Sequence, residues 1–457
     1  MMKVQAVFDI GKTNKKFFLF DENYQEVVKA YTHFAEIRDE EGVACDDLPA
    51  IQKWMKTTFN QYLDDPAFDI QSLNFSSYGA SFVHIDEKGQ PVTPLYNYLK
   101  PYPADLLASF YEKYGGEMTF AQQTASPPLG MLNSGLQLYW LKYAKPELFE
   151  KVRWSIHFPQ YLSFLFTGIP LSEYSSIGCH TGLWDYVNND YHHWVYAEGI
   201  DRILPPIVDT TTSINTTYRD ERFTIGVGIH DSSSALLPYL LADKKPFILL
   251  STGTWSIALN PFNDEPLSKE DLQNDCLNFM RIDGYPVKAS RLFLGNEYSL
   301  QLKKLHAHFD KDYGYHRTIA FDRALYAQLK ANYQHHYKLE SIALDRDQPA
   351  TTQLSTFDSF EKAYHQLLME LVELQIEAAQ RAIGDTPIHK IYIDGGFANN
   401  AIYVELLSAH FQGVKMRITQ SPLGSALGAA MVISNEKVGK KFLKKHYALT
   451  KYRSIIA

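Results

Sequence analysis

Val7-Phe8-Asp9-Ile10-Gly11-Lys12-Thr13-Asn14 is an apolar run that ends in a carboxylate and then a small residue. Such a run carries a strand out of a core, and the glycine lets backbone N–H groups approach an anion closely. Alone it is weak, because strands commonly end in Asp and Gly as ordinary turn chemistry. The pattern recurs at Gly228-Ile229-His230-Asp231-Ser232-Ser233 and at Tyr392-Ile393-Asp394-Gly395-Gly396-Phe397. A fourth element, Leu250-Ser251-Thr252-Gly253-Thr254-Trp255-Ser256, sets a hydroxyl-rich turn after the apolar Phe247-Ile248-Leu249-Leu250. A carboxylate at such a junction can hold Mg²⁺ or take a proton. Together the four read as a phosphate and metal site.

In this order the set resembles the FGGY family of sugar kinases, and the likeness covers nearly the whole chain. It is similar to the L-fuculokinase, rhamnulokinase and xylulokinase group of that family. The resemblance implies an α/β, two-domain actin-like ATPase (ribonuclease H-like) fold, duplicated, with the active site in the interdomain cleft. It implies ATP and Mg²⁺ as cofactors and transfer of the γ-phosphate to a hydroxyl of a small sugar, a ketose of the L-fuculose, L-rhamnulose or xylulose type. Asp231, in a Gly-x-His-Asp context, matches the family's general base, and Asp9 with Asp231 its metal ligands. Gly11, Thr13, Asn14 and Lys16 match the first phosphate loop, Thr252 and Gly253 the second, and Gly395, Gly396 and Asn399 the adenosine loop. Tyr78, Ser81, His230 and Asp231 stand where the acceptor sugar is expected to bind.

Three positions depart from the family pattern. Lys12 stands where a small hydroxyl residue is usual, and Ser81 replaces a sugar-binding Asp. The stretch Pro94-Leu95-Tyr96-Asn97-Tyr98-Leu99-Lys100 lacks the Asp and Arg of many relatives. A hydroxyl in place of a carboxylate removes a strong acceptor for sugar O–H groups, and discrimination by polar pairing can be large. The acceptor therefore stays open between ketoses, polyols and sugar-derived signal molecules. A non-catalytic nucleotide or sugar sensor on the same fold is the rival outside enzymes.

The bulk numbers agree with a cleft enzyme. At 457 residues the chain is too long for one ordinary core, so two domains of roughly 200 residues each are expected. A boundary is expected near the Thr, Ser and Asn-rich stretch 210–217, giving a sugar-binding domain over 1–222, with the first phosphate loop, and an ATP-binding domain over 223–457. Lys plus Arg total 44 against 52 Asp plus Glu, a formal charge of −8, and without a long basic block no nucleic-acid partner is expected. Cys45, Cys179 and Cys276 are isolated, which argues against a disulfide framework or a zinc site and fits a cytoplasmic protein. The chain enters its first strand near Val4, leaving no signal core, and the small-residue run Ser425–Val432 is too short to span a membrane. A homodimer is a possible assembly.

Element patterns place the motifs. Val4–Phe8 and Lys16–Phe20 read as a β-hairpin with the Gly11 loop at its tip, and Ile51–Leu63 carries apolar residues at helical spacing. Leu129–Ala144 and Phe158–Phe166 read as helices whose Trp140, Leu141, Tyr161 and Leu165 belong to the core. The longest helical pattern, Phe357–Ile383, ends at Gly384 as a cap. A strand over Lys390–Ile393 and a helix over Ala401–Ala409 follow, and the turn Ser421-Pro422-Leu423-Gly424 opens a helix whose N-terminus could face a nucleotide. Asp231 could serve as a base, as a helix cap, or as both. Lys16 reads equally as a charge partner or a solvated strand residue.

Overall fold

The computed structural model describes residues 1–343, 347–420, 423–434 and 441–456. Residues Ser421 and Pro422 of the expected turn lie outside that set.

The first half is built on strands β1 (Met2–Ile10), β2 (Lys15–Asp21), β3 (Glu26–Thr32), β4 (Phe68–Ser77), β5 (Ser213–Tyr218), β6 (Glu221–Gly226) and β7 (Ile229–His230). They form one sheet in the order β5-β6-β4-β1-β2-β3, with β7 also paired to β4. The hairpin β1–β2 sets Asp9 opposite Lys16, and the parallel neighbour β4 sets Ser76 beside Asp9. Both faces of the hairpin are apolar, which explains its near-continuous hydrophobic sequence. Phe8, Phe17 and Leu19 pack with Ile51 and Phe59 of helix α1 (Leu48–Leu63) and with Leu162 and Phe166 of helix α2 (Phe158–Thr167). Val7, Phe18 and Phe20 face the other way, into the interior between the domains.

After β7 the chain enters helix α3 (Asp231–Ala242) and then a second sheet of β8 (Phe247–Thr252), β9 (Ser256–Asn260), β10 (Cys276–Met280), β11 (Pro286–Leu292), β12 (Lys390–Gly395), β13 (Lys415–Ile418) and β14 (Thr450–Lys451). Its order, β10-β11-β9-β8-β12-β13-β14, repeats the first sheet's logic. A central strand, β1 or β8, has an antiparallel hairpin partner on one side and a parallel neighbour on the other. The outer face of this sheet packs on helices α4 (Leu294–His308), α5 (Phe360–Ile383) and α6 (Ala401–His410). Gly384 caps α5 as expected, at φ 52°.

Helix α7 (Gly424–Val432) crosses α3 between the two sheets. A Cβ on Gly428 would lie 1.9 Å from the Ser234 carbonyl oxygen, so only glycine permits this crossing. The apolar interior runs from Val7 and Phe18, through Leu236, Leu237, Leu427 and Ala430, to Phe247 and Leu249. A division at 222/223 would cut the β5–β6 hairpin of the first sheet, whose register extends from Ser213↔Gly226 to Tyr218↔Glu221. Within the polar 210–217 stretch the edge strand starts at Ser213 with alternate residues exposed, whereas Thr210 is buried and donates to Glu173 at 2.6 Å, and the sheets change hands between His230 and Phe247.

Candidate active site

Asp9 ends β1 at the mouth of the interdomain cleft and is only 8% exposed. Its carboxylate accepts from Ser425 Oγ, in the first turn of α7, at 2.6 Å. Lys16 Nζ approaches to 3.8 Å. Burial pushes the Asp9 pKa up, and Asp231's charge pushes in the same direction against the lowering effects of Ser425 and Lys16. Two carboxylates from different domain elements therefore share one electrostatic neighbourhood.

Asp231 is the first residue of α3, with its side chain 36% exposed and thus open to an incoming group. Asp231 does not occupy the N-cap of α3, which is His230; it is the first residue inside the helix. His230 Nε2 lies 3.2 Å from Asp231 Oδ1 and 3.3 Å from Cys179 Sγ. Burial lowers the His230 pKa against the opposing pull of the Asp231 and Glu173 charges, and the ring stands beside the Asp231 carboxylate while its Nε2 contacts the Cys179 thiol. A small cavity of about 210 Å³ is lined by Asp231, Ser232, Ser251 and Ser425, among others.

The first loop closes on itself through Gly11 N–H to the Asn14 carbonyl at 2.9 Å, which leaves Thr13 and Asn14 exposed at its tip. Lys12 turns away from that tip. Its ammonium pairs with Asp46 at 2.7 Å and Glu36 at 3.3 Å, and Asp46 also accepts from Lys15 at 2.9 Å and from the Tyr78 hydroxyl at 2.8 Å. The lysine that breaks the family pattern is thus the partner of a buried carboxylate. Tyr78 is buried with its hydroxyl engaged there. Ser81 is buried too, and its carbonyl accepts from Phe158 N–H at 3.0 Å. Gly79 sits between them, where a Cβ would fall 3.0 Å from the His230 ring and 3.1 Å from Cys179 Sγ.

In the second sheet, Gly253, Gly396 and Asn399 line one cavity of about 790 Å³. Tyr298, His316, Tyr364 and Phe397 complete its aromatic wall. Gly395 lies just behind it at φ 90°, where a Cβ would meet the Thr252 carbonyl oxygen at 1.9 Å. Thr252 holds that loop rather than facing the cavity: its hydroxyl donates to the Asp394 carbonyl at 2.5 Å and accepts from Phe397 N–H at 3.1 Å. Asn399 accepts from Gln420 at 2.9 Å. Asp394, the third acidic junction, accepts from the Tyr239 hydroxyl at 2.9 Å and from Gly395 N–H at 2.8 Å.

Sequence reasoning missed Gly295 and Ser425. Gly295 lines the large cavity, and a Cβ there would strike the Gly253 carbonyl oxygen at 1.9 Å. A glycine in the first turn of a helix was its only signal. Ser425 sits in the small-residue helix whose N-terminus was expected near a nucleotide, but nothing local predicts a bond to Asp9, 416 residues away. Among the described residues, no group of three or more His, Cys, Asp and Glu side chains could hold a metal ion. The Asp9 and Asp231 pair nevertheless fits Mg²⁺, which keeps several waters and takes one or two carboxylates plus phosphate oxygens. The aromatic wall and the close-approach glycines fit a nucleotide. No helix among them is long and apolar enough to cross a membrane.

Comparison with known proteins bears on the same elements. Residues 4–235 match the family profile described as the FGGY family of carbohydrate kinases, N-terminal domain. A rhamnulokinase of Halalkalibacterium halodurans is 23% identical over 272 residues, 56% of this chain and 56% of the relative. A rhamnulokinase of Yersinia pestis is 25% identical over 232 residues, 49% of this chain and 46% of the relative. The chain spans about half the length of the curated relatives it matches. A carbohydrate kinase structure from Novosphingobium aromaticivorans superposes with a TM-score of 0.78 at 21% identity, covering 99% of this chain and 95% of that one. A ligand-bound xylulose kinase from Lactobacillus acidophilus superposes with a TM-score of 0.76 at 16% identity, covering 99% and 94%. These likenesses show the two-domain actin-like ATPase fold.

Proposed function

The chain belongs to the FGGY family of carbohydrate kinases, and on that premise we propose that it transfers the γ-phosphate of ATP to a hydroxyl of a small ketose, with Asp231 as general base. The observation that carries this reading is that Asp9 and Asp231, one buried and one open, are near enough for the Asp231 charge to act on Asp9, in a chain whose second half also holds a nucleotide-sized cavity.

When bound, ATP would supply the transferable phosphoryl group and Mg²⁺ the positive charge that offsets the charge developing on it. Asp9 would hold the metal, with Ser425 Oγ donating to the same carboxylate, and a cation there would offset the burial and the Asp231 charge that raise its pKa. Asp231 accepts the proton of the attacking sugar hydroxyl, a contribution of roughly 10²–10⁴ in rate for a positioned base. His230, with Nε2 3.2 Å from that carboxylate, stands where it can orient the base. Gly253, Gly396 and Asn399 border the nucleotide, while Gly395 and Thr252 hold their loop close to it. Thr13, Asn14 and Lys16 border the phosphates from the first domain, and Tyr78, Gly79 and Ser81 back the acceptor side. Closure of the two domains excludes water that would hydrolyse ATP unproductively.

The rhamnulokinase relatives favour a deoxyketose acceptor of the L-rhamnulose or L-fuculose type, with xylulose next. ADP release with Mg²⁺ across ketoses, aldoses and polyols tests the reading. We expect turnover that depends on one ketose and rises at least a hundredfold over the acceptor-free rate. Nucleotide binding without acceptor-dependent turnover across the panel would favour the sensor.

A further inference from the structure

Away from the cleft, β13 and the edge strand β14 pair antiparallel, with Arg417 opposite Lys451 and Ile418 opposite Thr450. Tyr452 N–H extends that pairing to the Met416 carbonyl at 3.3 Å, which sets Lys415 across from Arg453. Alternate residues of a strand share a face. Lys415, Arg417, Lys451 and Arg453 therefore form a two-by-two tile of positive charge on the face away from α4, α5 and α6, while Met416 and Tyr452 turn toward those helices.

Like charges placed directly opposite on a sheet are destabilising, and this tile holds two such pairs. Among the described residues none of the four cations enters an ion pair. Glu405, the carboxylate that the same segment reaches, is buried and already accepts from the Tyr452 hydroxyl, Ser454 Oγ and the N–H groups of Ile455 and Ile456. The chain as a whole is acidic, at −8, so four cations in one place do not reflect general basicity. Basic residues on an edge strand also discourage edge-to-edge pairing, but that role needs nothing from β13, which is not an edge and supplies half the tile.

All four cations line a groove of about 560 Å³ at this end of the sheet, together with Ser408, Phe411, Met416, Tyr452, Ser454 and the turn at Gly413, and that groove shares no lining residue with the nucleotide cavity or with the cavity at Asp231. The volume lies in the range of small-molecule sites. Arg453 offers a planar fork that matches phosphate oxygens, Arg417 offers the guanidinium N–H groups left beyond the one that donates to the Met416 carbonyl at 2.8 Å, and two lysines add point charges. We propose that this groove binds a small molecule carrying two or more phosphate groups, at a site separate from the catalytic cleft. Occupancy would replace the repulsion within the tile by charge-assisted hydrogen bonds.

Titration calorimetry of the full chain with tripolyphosphate tests this, at about 0.15 M salt where loose surface attraction is screened, without divalent metal and with ADP present to occupy the cleft. We expect saturable binding near one site per chain, at least tenfold tighter than inorganic phosphate. The double variant Lys451→Glu, Arg453→Glu changes two exposed side chains and should weaken it at least tenfold with the thermal midpoint retained. Lys415→Gln, at a third exposed position, provides an independent variant and should weaken binding severalfold. Absence of saturable binding, or binding unchanged in the variants, overturns the proposal. Binding to anionic phospholipid vesicles with none to tripolyphosphate overturns it in favour of a membrane surface.

Discussion

Asp46 accepts from three side chains, Lys12, Lys15 and Tyr78, and in doing so fixes the first loop to the end of β4. Lys15 is 1% exposed, so its charge is tolerable only with that partner in place. Removing one member of a buried pair strands the other. Asp46→Ala should therefore destabilise the fold by about 3 kcal/mol, read as a lower urea midpoint at unchanged slope. The sequence showed Lys12 as a departure from its family, but the compensating carboxylate lies 34 residues away in a segment without a motif. Side-chain pairing at that separation leaves no local pattern. The same limit hid Ser425, whose bond to Asp9 exists only once α7 is laid against β1. By contrast, Asp9, Asp231 and Gly396 were legible because a strand end followed by a small residue is a local signature.

At the scale of elements, the crossing of α3 and α7 is the tightest constraint in the interior. Gly428→Ala would press a methyl group into the Ser234 carbonyl and push the helices apart. Overpacking of this kind costs about 2 kcal/mol, and a lower thermal midpoint is expected together with weaker acceptor-dependent turnover, since α3 carries Asp231 and α7 carries Ser425. Helix α5 holds a second device. Glu370 is buried and accepts from the N–H groups of His336 and Tyr337, which ties the segment after residue 332 to the helix. Burial raises its pKa from 4.5 to about 7, so the folded chain holds the proton more tightly than the unfolded chain. Its stabilising contribution is complete below about pH 4.5 and is lost as pH rises through 7, a change of about 3 kcal/mol. Glu370→Gln, neutral throughout, should flatten the pH dependence of the thermal midpoint between pH 5 and 8. Most element positions followed from periodicity, α5 and the β1–β2 hairpin most clearly. The edge hairpin β5–β6 did not, because its half-exposed Thr and Ser residues look like a linker until they pair.

The whole molecule is two sheets of matching topology, joined through α3 and α7, with their loops facing one cleft. Duplication explains why acidic strand ends recur in both halves without repeated sequence: the topology, and not the side chains, was preserved. The two halves nevertheless differ in task. The first sheet brings Asp9 to the cleft, whereas Asp394 in the second is drawn into bonds with Tyr239 and Gly395 and supports a loop. Asp231, at the junction between the sheets, is the open carboxylate on which phosphoryl transfer depends in this account. The most direct test follows phosphorylated sugar by phosphorus NMR for the wild type and Asp231→Asn, with nucleotide affinity measured on both. The account predicts wild-type product and a loss of at least a hundredfold in the variant, as expected for removal of a positioned base, with nucleotide affinity unchanged. Product formation by Asp231→Asn at near wild-type rate would contradict it.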